Sequence, residues 1–519
     1  MKKNSVAGSI SLVMIIMILS RLLSLLSTQV YLSYFGAGGS QINIYSYAIS
    51  VPNIIFNCFG TALSTVVIPI YAGHIANKRN DEAKLFADNI ITISSVFTML
   101  LIIAGFGLSF VLPHFTAFKN SPSDLSYATK ALMIMMPVML FYALNYIFQG
   151  MLQSVGKYNW PAFVSVPSSL IVILYVVFLG DRFGVDGLLW ATFLGLSMQA
   201  IILIPPLFKS GYKYTPCINL KNPDIINAGK MTVPVLCGVS AYQLNMFYNV
   251  TMIAKFDGMV TLLTYVQNIT LYMVLAFVYS ITAVIYPRLT AFAAKDEMGE
   301  YKKTLSDITK TIITLLLPVT FGFIAVRYPL LNLIAKWGQI TPKDIDAAAG
   351  LLMMYSIGIT AVGIKEVYDR AFYAVKNTFI PALNGFVIMI VNIVLSQILM
   401  RIIGAYGIPL SYSVSSVIGA AVLLIMLRRK IGKLQSGMII YFVKCFAAAL
   451  LMFFAVTFLN SFLDAKLSTD SFLIRLIKLF VPVGIGVAVY GGMGIVLKID
   501  YIMNILKSVI GRLKCEKTD

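Results

Sequence analysis

Charged residues are scarce in this chain. Asp, Glu, Lys and Arg together make up 12% of its 519 residues, whereas apolar residues make up 59%. Soluble domains carry about twice that charged share, so a soluble globular enzyme is excluded. Disorder is excluded as well, because the chain contains 33 Phe and 28 Tyr. This composition predicts an all-α polytopic membrane protein.

Cysteine, histidine and nucleotide-binding motifs are also few or absent. None of the five cysteines forms a CxxC pair or lies near one of the two histidines in sequence, which argues against a disulfide framework and a zinc site. No GxxxxGK[ST] motif is present, so this chain does not drive transport with ATP. We therefore expect no enzyme activity, no metal and no cofactor. The net charge of +19 is assigned to membrane topology rather than to nucleic acid.

Long apolar runs predict about fourteen transmembrane helices, since a bilayer core of about 30 Å requires roughly 20 apolar residues per helix. The predicted spans are residues 8–34, 42–72, 86–113, 129–153, 159–180, 185–208, 231–254, 259–287, 306–326, 347–372, 378–400, 404–427, 437–460 and 475–497. The first is read as a helix rather than a signal peptide, because it is long and lacks a cleavage site. The connections are too short to hold a separate core.

The distribution of Lys and Arg predicts the orientation. With the N-terminus in the cytoplasm, the inner stretches carry more than twice as many basic residues as the outer ones. An even number of spans then places both termini inside, in a bacterial cytoplasmic membrane. His74 and His114 fall on opposite sides, so they cannot form a catalytic pair. Residues 500–514 place their apolar side chains on one helical face and predict an amphipathic tail along the inner leaflet.

Three matches at an offset of about 220 residues indicate an internal repeat. Val155, Pro161 and Ala162 recur as Val375, Pro381 and Ala382, and two shorter matches agree with the offset. Because this offset covers six helices, the copies share one orientation, with a pseudo-two-fold axis along the membrane normal. The repeat predicts a lobe at 1–220, a second at 221–432, and two further helices with the tail at 433–519. A substrate site between such lobes is typical of a secondary transporter.

Arg21 is the clearest charge inside a predicted span. No acidic residue of that span can pair with it, and an ionisable group in a membrane normally faces protein or a wet cavity. A guanidinium suits the paired oxygens of a phosphate, so Arg21 is a candidate anion ligand. The alternatives are a carboxylate partner on another helix, or an extended side chain that reaches the interface.

Other polar residues inside spans fall into two groups. The first group is a charged cluster in the tenth predicted span, 347–372, which we call the helix-ten cluster. Its two pairs at i,i+4 spacing predict a neutralised gate or, alternatively, a proton or cation site. It consists of Lys365, Glu366, Asp369 and Arg370. Uncharged residues that could line a hydrated cavity, or simply bond between helices, form the second group. These substrate-binding candidates are Asn43, Asn57, Asn245, Asn249, Gln267 and Asn268.

Several short segments resemble the MurJ (MviN) lipid II flippase family of the multidrug/oligosaccharidyl-lipid/polysaccharide exporter superfamily. They are Ser20-Arg21-Leu22-Leu23, Tyr34-Phe35-Gly36-Ala37-Gly38, Val51-Pro52-Asn53, Val67-Ile68-Pro69, and Phe372-Tyr373-Ala374 followed by Thr378 and Pro381. The resemblance implies two six-helix lobes, a lipid-facing groove involving the last two helices, and a cavity that binds pyrophosphate with arginines. Arg21 matches the first of these arginines.

The other charged positions implied by the resemblance are neutral here. An Arg-Asp pair falls on Ser27 and Thr28, and an aspartate falls on Asn43. A second arginine falls on Phe56 or Asn57, and a third on Asn268. This chain is therefore expected to be a divergent member with less fixed positive charge in its cavity.

The implied function is translocation of a polyprenyl-pyrophosphate-linked glycan, lipid II above all, from the inner to the outer leaflet by alternating access. The alternatives are a Wzx-type polysaccharide-unit flippase, a drug/cation antiporter of the same superfamily, and a non-transporting scaffold for cell-wall assembly. A membrane glycosyltransferase is disfavoured by the short outer loops. Expected partners are the lipid-linked glycan, membrane lipids and cell-wall synthesis proteins, with the chain itself a monomer.

Overall fold

The apolar runs fold into helices, and the computed structural model contains no strand among the residues it describes. It describes the chain except residues 1–2, 273–277, 279–280, 283–285, 287, 290, 294, 336–339, 376, 433–436, 468–470 and 504–519. The helices are α1 (Lys3–Phe35), α2 (Ser40–Ala76), α3 (Asn80–Val111), α4 (Pro122–Met135), α5 (Val138–Ser154), α6 (Asn159–Phe163), α7 (Ser165–Ile201), α8 (Ile204–Phe208), α9 (Pro223–Ile253), α10 (Met259–Gln267), α11 (Met298–Ala335), α12 (Pro342–Ser356), α13 (Ile359–Ala374), α14 (Phe379–Ile403), α15 (Gly407–Ile431), α16 (Met438–Lys466) and α17 (Phe472–Val496).

These helices cover thirteen of the fourteen predicted spans. The eighth, 259–287, begins with α10, and much of its remainder lies outside the described residues. Within the described part of the chain, seven helical segments are long and apolar enough to cross a membrane, or eight if α12 and α13 count as one span bent by 40°. Two of the seven, residues 159–208 and 379–431, each contain two predicted spans. Residues 159–208 comprise α6, α7 and α8, and Gly184 of α7, with φ of 55°, breaks the helical geometry between the spans 159–180 and 185–208. The predicted tail helix lies mostly outside the described residues.

Helix boundaries repeat with the offset found in the sequence. The α4–α5 pair begins at Pro122 and ends at Ser154, and the α12–α13 pair begins at Pro342 and ends at Ala374. Both boundaries therefore differ by 220 residues. Each pair begins with proline in its first turn, where a missing N–H costs nothing. The repeated bounds support the duplication independently of residue identity.

The described chain forms two compact units. The first runs to Thr261, and the second begins at Leu262. α9 belongs to the first unit and packs on α2. The division into lobes at residues 220 and 432 describes the sequence repeat, and it stays a prediction.

In the second unit, α16 and α17 pack on α11. Thr314 of α11 is the centre of this contact: its hydroxyl lies 2.6 Å from the Tyr441 hydroxyl, and its carbonyl accepts a hydrogen bond from Tyr490 at 2.9 Å. Asn460 donates to the Ala325 carbonyl at 3.0 Å. These bonds fix the two helices outside the repeat to a helix inside it.

The connection between α8 and α9 has no regular structure but is held firmly. We call residues 209–221 the strap. The buried Asp88 carboxylate of α3 accepts hydrogen bonds from the Tyr212 hydroxyl at 2.6 Å, the Thr215 backbone N–H at 3.2 Å and the Thr215 hydroxyl. The Asn89 side chain accepts from the Asn219 backbone at 2.6 Å. Burial, and then the Asp88 carboxylate, raises the pKa of the Tyr212 hydroxyl, which therefore remains a donor.

A histidine holds the start of α9 next to the strap. His74, at the end of α2, lies 2.9 Å from the Asp224 carboxylate through Nε2 and 3.2 Å from Glu82 through Nδ1. The three groups come from the ends of α2, α9 and α3. The first unit thus fixes both the strap and the first turn of the helix that follows it.

Replacing Asp88 with Asn should loosen the strap. One side-chain oxygen would become an N–H₂ group facing donors, so we expect the free energy of local opening at the Thr215 amide to fall by about 1.5–3 kcal/mol, the usual contribution of a hydrogen bond to a charged group. Hydrogen exchange followed by mass spectrometry measures this opening.

The control for this substitution is Asp81→Asn, in the exposed first turn of the same helix, which should leave exchange in the strap unchanged. Unchanged exchange at Thr215 in Asp88→Asn would show that the carboxylate does not hold the strap.

Candidate functional site

Arg21 lies on α1, where the backbone is described and its side chain lies outside the described residues. Its neighbour Ser20 is buried and donates a hydrogen bond to the Ala162 carbonyl of α6 at 3.0 Å. This contact fixes the α1 backbone one residue before the arginine. The position of the Arg21 side chain therefore stays a prediction.

Asn43 connects the turn before α2, at residues 36–39, to the chain at Thr261, which follows the turn that contains Gly258. Its amide donates to the Gly39 carbonyl at 2.8 Å and to the Ala37 carbonyl at 3.3 Å, and its side-chain oxygen accepts from the Thr261 backbone at 3.2 Å. Thr261 also lies 2.8 Å, hydroxyl to hydroxyl, from Ser46. In this arrangement Asn43, 2% exposed, serves the backbone of the turns rather than an open cavity.

The turns joined by Asn43 are copies of each other in the repeat. Gly258 adopts φ of 78°, and a β-carbon placed on it would lie 3.4 Å from the Gly38 α-carbon. Gly38 and Gly258 stand 220 residues apart in sequence. The left-handed backbone conformation therefore favours glycine at position 258, whereas a β-carbon there would make only an ordinary van der Waals contact.

Asn57 belongs to a row of polar side chains between α2 and α5. It donates to the Asn53 side chain at 2.7 Å and accepts from the Tyr146 hydroxyl at 3.0 Å. Asn53 donates to the Tyr142 hydroxyl at 3.3 Å. Phe56 lies against both tyrosine rings, with centroid distances of 6.1 and 6.2 Å. Hydrogen bonds and ring contacts thus join the two helices.

The four remaining uncharged candidates are divided between the two units. Asn245 and Asn249 are buried on α9, within the first unit. In the second unit, the Gln267 amide donates to the Tyr355 hydroxyl of α12 at 2.6 Å. Asn268 is half-buried and begins a π-helical turn that continues to Tyr272. Asn43 and Asn57 also take part in separate contacts.

The helix-ten cluster, named after the tenth predicted span, lies on α13 and forms one of its two expected pairs. Lys365 Nζ lies 2.7 Å from Asp369 Oδ2 and 3.9 Å from Glu366 Oε1. Glu366 thus contacts Lys365 rather than Arg370, whose guanidinium lies 6.0 Å from the centre of the Tyr373 ring. The second expected pair, Glu366 with Arg370, is absent from the ion pairs of the described residues.

The backbone around this cluster is fixed by its neighbours. The Tyr301 hydroxyl of α11 donates to the Ala371 carbonyl at 2.6 Å. Tyr301, Tyr368 and Phe372 all belong to one buried cluster with residues of α15. The cluster is therefore held on a rigid part of the second unit, as a gate or coupling site requires.

A sequence model of the family described as "Lipid II flippase MurJ" matches residues 31–478. The chain belongs to the MurJ family. The match covers most of the chain and favours this family over the polysaccharide-unit flippases and the drug antiporters. It also confirms the resemblance seen in the short sequence segments.

Similar proteins agree with the MurJ assignment. The chain is 24% identical over 470 residues to a "Probable lipid II flippase MurJ" of Buchnera aphidicola, covering 89% of this chain and 92% of the relative. It is 25% identical over 420 residues to the protein of that name from Vibrio cholerae, covering 78% and 80%. The "Lipid II flippase MurJ" of Thermosipho africanus is 24% identical over 406 residues, covering 78% and 82%.

Solved structures share the fold. A structure described as "Lipid II flippase MurJ, inward closed conformation" superposes with a TM-score of 0.78 at 23% identity, covering 95% of this chain and 99% of the other. An inward-facing MATE family transporter of the MOP superfamily superposes with a TM-score of 0.67 at 15% identity, covering 79% and 94%. The fourteen-helix transporter fold is thus confirmed.

The neutral residues at charged positions of the MurJ resemblance have local partners. The Thr28 hydroxyl donates to the Ser24 carbonyl at 3.1 Å, and Ser27 is buried. Asn43 and Asn57 make the contacts described above. Hydrogen bonds to neighbouring groups thus satisfy the neutral side chains of Thr28, Asn43 and Asn57.

Sequence reasoning missed Asp88. This buried acid lies inside the predicted span 86–113, and the strap occupies all of its described hydrogen bonds. An acidic residue at the start of an apolar run was the available signal, since such a group requires donors from another segment. The donors were not recognisable, because they are a tyrosine and a threonine in a loop more than 120 residues away.

Gly258→Ala should destabilise the first unit. An L-residue requires about 1–2 kcal/mol to adopt a left-handed conformation, while the added methyl group would meet Gly38 only at van der Waals distance. We expect a lower apparent thermal midpoint in detergent.

The control is Gly73→Ala in α2, where a β-carbon meets no atom within 4 Å. Alanine favours a helix over glycine, so this variant should be as stable as the natural chain or more so. Equal midpoints for both variants would contradict the proposed role of Gly258.

Removing either charge of the Lys365–Asp369 pair should lower the free energy of unfolding. Asp369→Asn or Lys365→Met leaves the other charge buried without its partner, a change that typically costs about 3–5 kcal/mol. The double substitution Lys365→Met with Asp369→Leu should recover most of that loss. Thermal midpoints of the purified proteins test this.

The matched comparison is the Lys478–Asp464 pair, which has the same 2.7 Å separation but an Asp464 side chain that is 63% exposed. Asp464→Asn should cost at most about 1 kcal/mol, as exposed pairs do. If Asp369→Asn is equally mild, the pair does not stabilise the second unit.

Proposed function

We propose that this protein moves lipid II, a polyprenyl-pyrophosphate-linked glycan, from the inner to the outer leaflet of the bacterial cytoplasmic membrane. The observation that carries the proposal is the match of the MurJ family model to residues 31–478. The names of the relatives in Buchnera, Vibrio and Thermosipho support it. Both termini lie in the cytoplasm, as the distribution of Lys and Arg favours.

Alternating access by the two six-helix lobes would expose the headgroup first to one side and then to the other. The chain then acts as a secondary transporter rather than an enzyme. Its partners are the lipid-linked glycan, the surrounding lipids and proteins of cell-wall synthesis, and a monomer is sufficient for the cycle. The repeated bounds of α4–α5 and α12–α13 support two equivalent halves.

Arg21 is the residue proposed to hold the pyrophosphate. A guanidinium presents a rigid fork of donors to neighbouring phosphate oxygens, and α1 fixes its backbone through Ser20. The positions where the family resemblance expects further arginines carry Ser27, either Phe56 or Asn57, and Asn268 here. Arg21 would therefore supply most of the fixed positive charge that the headgroup meets in this chain.

Polar side chains complete the proposed path. Asn43, Asn57, Asn245, Asn249, Gln267 and Asn268 are proposed to bind the sugar-bearing headgroup in conformations that release them from their present contacts. The cluster of Lys365, Glu366, Asp369 and Arg370 is proposed as a gate in the second unit. Its Lys365–Asp369 bond is short and buried, so it would open only when other groups replace it.

Complementation tests the function. The chain is produced in bacteria depleted of their own MurJ, and growth is measured together with the fraction of lipid II exposed at the outer surface. We expect rescue by the natural chain. Arg21→Ala should reduce surface-exposed lipid II by roughly 10–100-fold, the equivalent of one charged hydrogen-bonding group. Arg21→Lys should retain part of the activity, because it keeps the charge but not the fork.

Arg182→Ala is the matched control, since Arg182 is an exposed arginine next to the break in α7. It should rescue fully, and all variants are compared at equal membrane abundance. Full rescue by Arg21→Ala would contradict the role proposed for this side chain. A different result would be that the natural chain fails to rescue growth while the export of another lipid-linked glycan depends on it. That result would show that the cargo is this glycan and not lipid II.

A further inference from the structure

The strap exposes an unusual combination of side chains. Lys209, Lys213 and Lys221 are exposed, and no acidic residue occurs between positions 209 and 223. Two large apolar side chains lie between the last two of these lysines: Ile218 is 63% exposed and Leu220 is 65% exposed. The strap is thus basic and apolar on the same exposed surface.

This surface is ordered rather than loose. Asp88 and Asn89 bind the backbone at Thr215 and Asn219, and the Thr92 hydroxyl lies 2.9 Å from the Tyr214 hydroxyl. Because α3 holds these points, Ile218 and Leu220 cannot be covered by collapse of the strap onto the protein. A surface already held in one conformation also loses little entropy when it binds.

The position of the strap indicates what covers it. The apolar helical segment of residues 159–208 ends where the strap begins, and α9 begins directly after it. The strap therefore lies between one membrane-spanning segment and α9, which contains the predicted span 231–254, so we place it at one face of the bilayer. Apolar side chains at that level enter the boundary between headgroups and acyl chains, and lysines between them attract anionic headgroups.

We infer that the strap is a docking surface for anionic phospholipids, with Ile218 and Leu220 inserted into the interface and the three lysines paired with phosphate groups. The inference goes beyond the transport proposal, because it involves neither Arg21 nor the cargo. Charge complementarity selects this occupant, since a surface with three lysines and no acid favours a negatively charged partner.

A fluorescent label on the strap tests the inference. Leu220→Cys is introduced into a chain whose five natural cysteines are replaced, labelled with the environment-sensitive fluorophore NBD, and reconstituted into vesicles without lipid II. One set of vesicles contains phosphatidylcholine alone, and the other also contains phosphatidylglycerol. Docking should shift the emission to shorter wavelength, increase quenching by brominated lipids and reduce quenching by aqueous iodide, all more strongly with phosphatidylglycerol.

Removing the lysines should reverse these changes. In Lys209→Gln/Lys213→Gln/Lys221→Gln, docking should weaken by roughly fivefold for each lysine removed, so the emission approaches its value in phosphatidylcholine. The control variant Lys119→Gln/Lys130→Gln/Lys255→Gln changes three exposed lysines of the first unit outside the strap and should behave like the parent.

Three outcomes would overturn the inference. Full access to iodide and no quenching by brominated lipids in both kinds of vesicle would show that no lipid covers the strap. Protection that is the same with and without phosphatidylglycerol, and unaffected by the lysine substitutions, would show that charge plays no part. Protection that rises with protein density would assign the surface to a second copy of the chain.

A second measurement uses the chain with its natural cysteines and guards against misfolding of the labelled variant. Native mass spectrometry from phosphatidylglycerol-containing detergent counts the lipids retained. The natural chain and the control variant should retain more phosphatidylglycerol than the strap variant, with the same elution volume in gel filtration. Equal retention by all three would contradict the inference.

Discussion

The hydrocarbon core of a bilayer offers no hydrogen-bond partners, and this constraint determines most of the structure. Helices satisfy their own backbone, and polar side chains within them often bond the same helix, as Thr98 does with the Ser94 carbonyl and Ser109 with the Gly105 carbonyl. Where the backbone of α7 breaks at Gly184, the freed carbonyl accepts from the Tyr175 hydroxyl at 2.7 Å. Each departure from helical geometry thus comes with a local donor or acceptor.

The same constraint explains the divergence of this MurJ family member. A buried charge requires a partner or water, whereas a neutral amide or hydroxyl can be satisfied by one or two neighbours. Asn57 has Asn53 and Tyr146, and Asn43 has the turns on either side of it. At these two positions the neutral side chain is therefore satisfied by its neighbours, and no buried charge has to be paired.

The sequence predicted the helices well because their apolar length is a local property. It also predicted the repeat, since matching turns leave matching residues. It could not predict the contacts of Asn43, whose partner Thr261 lies 218 residues away. In the helix-ten cluster on α13 the spacing allowed two ion pairs, and the tertiary surroundings selected only Lys365 with Asp369. The role of Asp88 was likewise invisible, because its partners are ordinary loop residues that only the fold brings near it.

The broken helices α4–α5 and α12–α13 have a historical consequence. Their outer ends differ by the same 220 residues, and their interruptions, at residues 136–137 and 357–358, coincide to within one residue under that offset. Neither interior has gained or lost length since the two copies separated. Duplication of a half-length protein that already carried a helix interrupted at this point would give these matching bounds.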